Sequence, residues 1–253
     1  MVHPVGLFSS AYCGAIAVQT AFRFSEQVRF YRTEPERVYG PPPKLFHLIS
    51  LPRPGAGVFQ GLGLIFIASM AAAAAGFGHT VALFAAFVSF FGYFPWIVRL
   101  GYVRRKANQI PMVLLILMVS PSQALPAIEG LISVVYFSAG IAKLAESGPR
   151  WANGETFQSH LIATYLLRDR KSALWLSRSR TACAVISTVV LVWELTFPVV
   201  LILPQYKWIW VVTGVLFHLS TVPARIHYWI YFGPLYFVFL APWGADWLNR
   251  HPW

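Results

Sequence analysis

Long uninterrupted apolar runs dominate this chain, with neither the 3.6-residue stripe of a surface helix nor the alternation of a half-buried strand. A helix needs roughly 20 apolar residues to cross a bilayer, fewer if its ends are buried in protein. Leu7–Phe22 is the first candidate span. Residues 23–54 are polar, with four prolines between Pro35 and Pro43 and two more at Pro52 and Pro54. They predict a loop holding one short interfacial helix around Ser25–Tyr31. Ala56–Phe77 is uncharged and Ala-rich, Gly78 and His79 predict a tight turn, and Thr80–Val98 runs back. Beyond a basic stretch at 99–107 lies Asn108–Leu144, which reads as one very long helix or as two broken at Ser120-Pro121-Ser122-Gln123. Thr181–Leu203, Trp208–Val222 and Tyr228–Trp243 complete the set. Between Lys143 and Arg180 the segment 145–180 is long enough to fold amphipathic helices onto a membrane face.

Charge decides between one helix and two at 108–144. With two, the loops at 23–54, 99–107, 143–180 and 224–227 share one side and carry 18 of the 20 Lys and Arg. With one, the division falls to 12 against 8. Cationic loops collect on the cytoplasmic face, so two helices are expected, with both termini on the opposite side. The predicted fold is all-α, a polytopic membrane bundle of about eight helices in a single domain, 1–253. Trp96, Trp208, Trp210, Trp229 and Trp243 fall near helix ends, where indole rings anchor at the interface. Composition agrees: charged residues are 11% and mean hydropathy is +0.58, against about 25% charged in ordinary soluble domains. The net charge of +11 would suggest nucleic acid in a soluble domain, but the cations here lie between apolar runs. Anionic lipid headgroups are the expected partners, and no nucleic acid is.

Met1–Ala21 lacks a charged segment ahead of its apolar run, so a membrane helix is expected there and not a cleaved signal. Cys13 and Cys183 form no disulfide framework, and no CxxC is present. No GxSxG, P-loop or GxGxxG occurs, which removes hydrolase, kinase and nucleotide-dehydrogenase readings.

Ionisable groups inside apolar spans are costly and therefore mark candidate sites. Here they are Glu129, Lys143, Glu194, His218 and, at a helix edge, Arg225 and His227. Lys143 ends an apolar run and either snorkels to the interface or sits within the bundle, where burial favours a neutral amine that acts as a base. Glu194 lies in mid-span, so it is paired, hydrogen-bonded or part of a wet substrate site. Pro198, four residues on, removes the donor for its carbonyl and predicts a kink. His218 on an apolar helix fits hydrogen-bonded packing or a site role. Its spacing to His227 matches no helical metal pair, and no metal is expected. Glu129 lies at a helix start, where the dipole favours a carboxylate.

Tyr136-Phe137-Ser138-Ala139-Gly140-Ile141-Ala142-Lys143-Leu144, followed by Trp151-Ala152-Asn153-Gly154, resembles the Y-F-x-A-G-x-x-K-L…W-x-x-G signature of the HTTM superfamily. That superfamily contains the membrane domain of vitamin K-dependent γ-glutamyl carboxylases and many bacterial relatives. Glu194-Leu195-Thr196-Phe197-Pro198 is similar to the E-L-x-x-P element of bacterial members, and Gly214–His218 to their histidine-bearing helix. The likeness covers residues 107–243 best. Animal carboxylases carry two adjacent lysines where this chain has Ala142-Lys143. The resemblance implies a carboxylase-like or quinol-epoxidase-like enzyme of a bacterial inner membrane, acting on a reduced quinone or similar lipid-soluble molecule. It puts Lys143 in the role of the base, with Glu194 and His218 beside it. Tyr136, Gly140, Trp151, Trp193, Arg225 and His227 are then expected to line the substrate site. Two readings stand beside this one. In the first, the chain is a non-catalytic subunit that binds quinone, lipid or pigment, or joins other membrane subunits. In the second, it is a small transporter relaying protons through Glu194.

Overall fold

The structure, a computed structural model, describes residues 1–33, 54–99, 109–169, 171–220 and 232–251. Every regular element among them is helical, and no strand occurs among the described residues. The chain divides into two compact units, one of Met1–Ile128 with Ile230–Trp253 and one of Glu129–Trp229.

The first unit begins with α1, Pro4–Thr33. It runs through the segment expected to be a loop containing a separate helix at Ser25–Tyr31. The correction has a plain cause: polar side chains do not break a helix, and no proline or glycine occurs between Phe22 and Thr33. Helices α2 (Ala56–Ala74) and α3 (His79–Arg99) form an antiparallel pair on α1. Their turn uses Gly76 at φ +79° and Gly78 at φ +50°. Phe77 N–H bonds the Ala72 carbonyl at 2.9 Å and Gly76 N–H that of Ala73 at 3.2 Å, which closes the end of α2. The core between these helices is aromatic: Tyr31 stacks on Phe59 at 3.9 Å, and Phe94 packs on Phe66 and Phe90 at 5.0 and 4.8 Å. Helix α4 (Gln109–Val119) packs on α3. The turn Pro121–Gln123 then breaks the chain where two helices were expected. Helix α12 (Phe237–Arg250) returns to α1, and the Asn249 side chain bonds the backbone of Val2 at 2.7 and 3.0 Å.

Helix α5 (Ala124–Ser147) carries the chain into the second unit. Pro126 sits in its first turn, where the missing N–H has no intrahelical partner to lose. The segment 145–180 then forms α6 (Pro149–Ala152), α7 (Glu155–Arg168) and α8 (Lys171–Ser177). Helix α9 (Arg180–Thr196) follows at 97° to α8 and is capped by the Ser179 hydroxyl, which accepts from Ala182 N–H at 3.2 Å. Leu161, Ala173 and Cys183 form a small core beneath α7, α8 and α9. Beyond Pro198 come α10 (Val199–Ile202) and α11 (Lys207–Ser220).

Among the described residues, α1, α2, α3 and the stretch Pro121–Ser147 are long and apolar enough to cross a membrane, and α8 with α9 makes a fifth if that bent pair is one span. The apolar segments at α4, α9, α11 and α12 form helices of 11, 17, 14 and 14 residues. Length and composition thus support four or five of the eight expected spans. Such helices are what an integral membrane protein requires.

Candidate functional site

Tyr136, Gly140 and Lys143 recur at intervals of four and three along α5, so they share one face of that helix. Gly140 is the contact point with α9: a Cβ placed on it would lie 2.9 Å from Leu195 Cδ2 and 3.3 Å from Glu194 Cβ. The missing side chain lets α9 approach and brings Glu194 opposite Lys143. Both Glu194 carboxylate oxygens then engage the Lys143 ammonium. The Glu194 side chain is 5% exposed and that of Lys143 21%, so the pair is largely withdrawn from its surroundings. Lys143 and Glu194 thus form an interhelical ion pair, one of the arrangements the sequence allows for Glu194.

Proline shapes the far side of this pair. Pro198 cannot donate to the Glu194 carbonyl, and α9 gives way to a turn at Phe197-Pro198. A long 3.4 Å bond from Phe197 N–H reaches that carbonyl. The helix is interrupted where the sequence predicts a kink, directly beside the carboxylate.

Trp151 closes the other side. Its ring lies 5.2 Å from Lys143 Nζ, within reach of a cation–π attraction. Helix α6, which carries it, is tied to α9 by Thr188 Oγ1 donating to the Ala152 carbonyl at 3.0 Å. Gly154 follows at φ +83°, where a Cβ would stand 2.5 Å from Ala184 N and 2.8 Å from Cys183 C. Only glycine fits there, which gives the W-x-x-G pattern a steric cause. The buried Trp151 Nε1 has no hydrogen-bond partner among the described residues.

Seven residues before Lys143, the Tyr136 hydroxyl and His218 Nε2 are 2.5 Å apart, both residues buried. The Tyr136 ring rests on Trp193 and Phe197 at centroid distances of 4.4 and 4.6 Å. Trp193 is held in turn by its Nε1, which donates to the Trp210 carbonyl at 2.9 Å, while Trp210 Nε1 donates to Thr196 Oγ1 at 3.0 Å. Tyr136, Gly140, Lys143, Trp151, Trp193, Glu194 and His218 therefore converge within the second unit. Arg225 and His227 lie outside the described residues.

One partner went unread in the sequence. Glu129, assigned there only to the helix dipole, pairs with Lys207 at 3.5 Å. Lys207 stands out as one of two cations away from the basic loops, and that isolation inside an apolar region was the available signal.

Neither a protein family, nor a curated protein, nor a solved structure matches this chain. The likeness to the HTTM superfamily rests on the motifs alone.

Proposed function

We propose that this is an integral membrane protein that withdraws a proton from a reduced quinone or a similar lipid-soluble acid, with Lys143 and Glu194 as the accepting pair. The observation that carries this reading is the ion pair itself, half-hidden and held between two apolar helices. An ionisable pair in that setting is costly and marks a site. When the pair's shared proton rests on Glu194, Lys143 presents a neutral amine that takes the quinol proton. When the proton rests on Lys143, the carboxylate is the acceptor and the ammonium stabilises the quinolate. The planar quinol ring suits the neighbouring aromatic rings of Tyr136, Trp193 and Trp151. In this reading the membrane is a bacterial inner membrane, with the basic loops on the cytoplasmic side.

Purified protein in detergent, given a reduced quinone and oxygen, should convert the quinone to its epoxide. Lys143→Ala should abolish the conversion, and Glu194→Gln should slow it by about 100-fold or more, the usual loss for a proton-transfer group. Conversion no faster than spontaneous oxidation would remove the enzyme reading.

A second reading is favoured by the same carboxylate having both oxygens on Lys143. A closed pair of that kind suits a non-catalytic membrane subunit, in which it clamps α5 to α9. That reading expects no turnover and stoichiometric partner subunits after purification in mild detergent.

A further inference from the structure

Helix α5 carries Glu129, Tyr136 and Lys143 at equal intervals of seven residues, with a further titratable side chain, Glu146, near its end. Seven residues complete two turns to within about 20°, so the three stand in one stripe and rise about 10 Å per step. Each faces a titratable partner on another helix of the same unit. Glu129 Oε1 meets Lys207 Nζ at 3.5 Å. The Tyr136 hydroxyl meets His218 Nε2 at 2.5 Å. Lys143 meets both oxygens of Glu194. Ser133, buried and one turn beyond Glu129 on the same stripe, donates its hydroxyl to the Glu129 carbonyl at 2.9 Å and keeps its oxygen as an acceptor. The opposite face of α5 presents Val134, Phe137 and Ile141, all exposed and all apolar.

One buried ion pair is enough to fix the register of two helices. Three aligned pairs, extending over about 20 Å of a hydrocarbon layer about 30 Å thick, exceed what packing requires. The geometry points to a proton path along α5, from Lys143–Glu194 through Tyr136–His218 and Ser133 to Glu129–Lys207. It rests on the reading of Lys143–Glu194 as an acceptor and says where the accepted proton goes. His218 takes a proton on one ring nitrogen and releases one from the other, Tyr136 accepts one proton and donates another, and the Ser133 hydroxyl does the same once it turns from the Glu129 carbonyl toward the next acceptor. Steps of about 10 Å are too long for a direct hydrogen bond, so water molecules carry the proton between pairs. Each group returns to its starting state after one proton has passed, and nothing is oxidised or reduced.

The full chain, reconstituted in neutral phospholipid vesicles containing a pH-sensitive dye, would be subjected to a valinomycin-imposed potassium diffusion potential. The internal pH should shift faster than in protein-free vesicles. Tyr136→Phe, which removes one hydroxyl, and Glu129→Gln should each return the rate to the protein-free leak, whereas Glu129→Asp should conduct. Helical circular dichroism and monodisperse elution of every variant separate a blocked path from a collapsed fold. Ser133→Ala, the mildest change, should slow the flux even where a larger substitution disturbs folding. A wild-type rate equal to the leak, or Tyr136→Phe and Glu129→Gln conducting like wild type, overturns the path. Quinol turnover in detergent, where no gradient exists, keeps the two ideas apart. Turnover without flux retains the acceptor and removes the path, while flux without turnover retains the path and removes the quinol.

Discussion

Lys143 and Glu194 show how burial changes what one charge is worth. In water an exposed ion pair contributes about 0–1 kcal/mol. Here the carboxylate is 5% exposed, so removing one partner strands the other in an apolar surround. Lys143→Met alone should cost about 3 kcal/mol, and Glu194→Leu alone a similar amount. The double variant Lys143→Met with Glu194→Leu should be nearly as stable as wild type, because two apolar side chains of similar volume leave no uncompensated charge. Equilibrium unfolding in mixed micelles measures this cycle. Additive losses in the double variant would mean that the two side chains do not interact. The double variant should also be inactive toward a reduced quinone, which separates a clamp from a proton acceptor. Both residues were legible as candidates because a charge within or at the end of an apolar span is conspicuous in a sequence. Their pairing was not. It depends on a contact between positions 51 residues apart, made through Gly140, and periodicity along one helix does not report what another helix places opposite.

At the scale of elements, breaks were read better than continuations. Pro121 and Pro198 remove backbone donors: the helices part at Pro121–Gln123 as expected, and at Phe197-Pro198 the span expected only to kink is interrupted. The end of α1 was misplaced because a change from apolar to polar residues was taken as a stop, although the helix runs to Thr33. A helix stops where its hydrogen bonds or φ fail, and nothing before Pro35 forces either. Glycines show a similar contrast. Gly140 in Y-F-x-A-G and Gly154 in W-x-x-G both lie within recognisable patterns, but they permit close approach to α9 in different ways. A methyl group at 140 meets the end of a flexible leucine side chain, which can rotate away. A methyl group at 154 meets the backbone of α9 at 2.5 Å, at a left-handed φ of +83°. Gly154→Ala should therefore cost roughly 1–3 kcal/mol from backbone strain, with the clash in addition. Gly140→Ala should cost less. Thermal unfolding followed by circular dichroism ranks the two, and the reverse order would show that the turn at 154 tolerates adjustment. Because that turn carries Trp151 toward Lys143, Gly154→Ala should also weaken activity, while Gly140→Ala should act mainly through the α5–α9 spacing.

For the whole molecule the deciding quantity is the number of crossings before Trp175. Val2 precedes α1, and Trp175 lies on α8, with both side chains exposed. If α1, α2, α3, α4 and α5 each cross, five crossings put the two positions on opposite sides. Helix α4 is the uncertain member by length alone: its 11 residues rise about 16 Å against a hydrocarbon thickness of about 30 Å. Charge argues that the α4 region crosses. With a crossing there, 18 of the 20 Lys and Arg collect on one face, and without it the division is 12 against 8. Orientation follows the distribution of Lys and Arg in short loops, so the more unequal division is the expected one. Val2→Cys and Trp175→Cys test this with a membrane-impermeant maleimide. Cys13 and Cys183 are buried and should stay silent. Trp175→Cys should label in inverted inner-membrane vesicles and Val2→Cys in sealed, outward-facing spheroplasts. Labelling of both from one side would mean that the α4 region enters and leaves by the same face. The basic residues would then lose their asymmetry, and the argument that places Lys143 near the cytoplasmic surface would go with it. Labelling on opposite faces but with the sides exchanged would keep the crossing count and move Lys143 to the outer face.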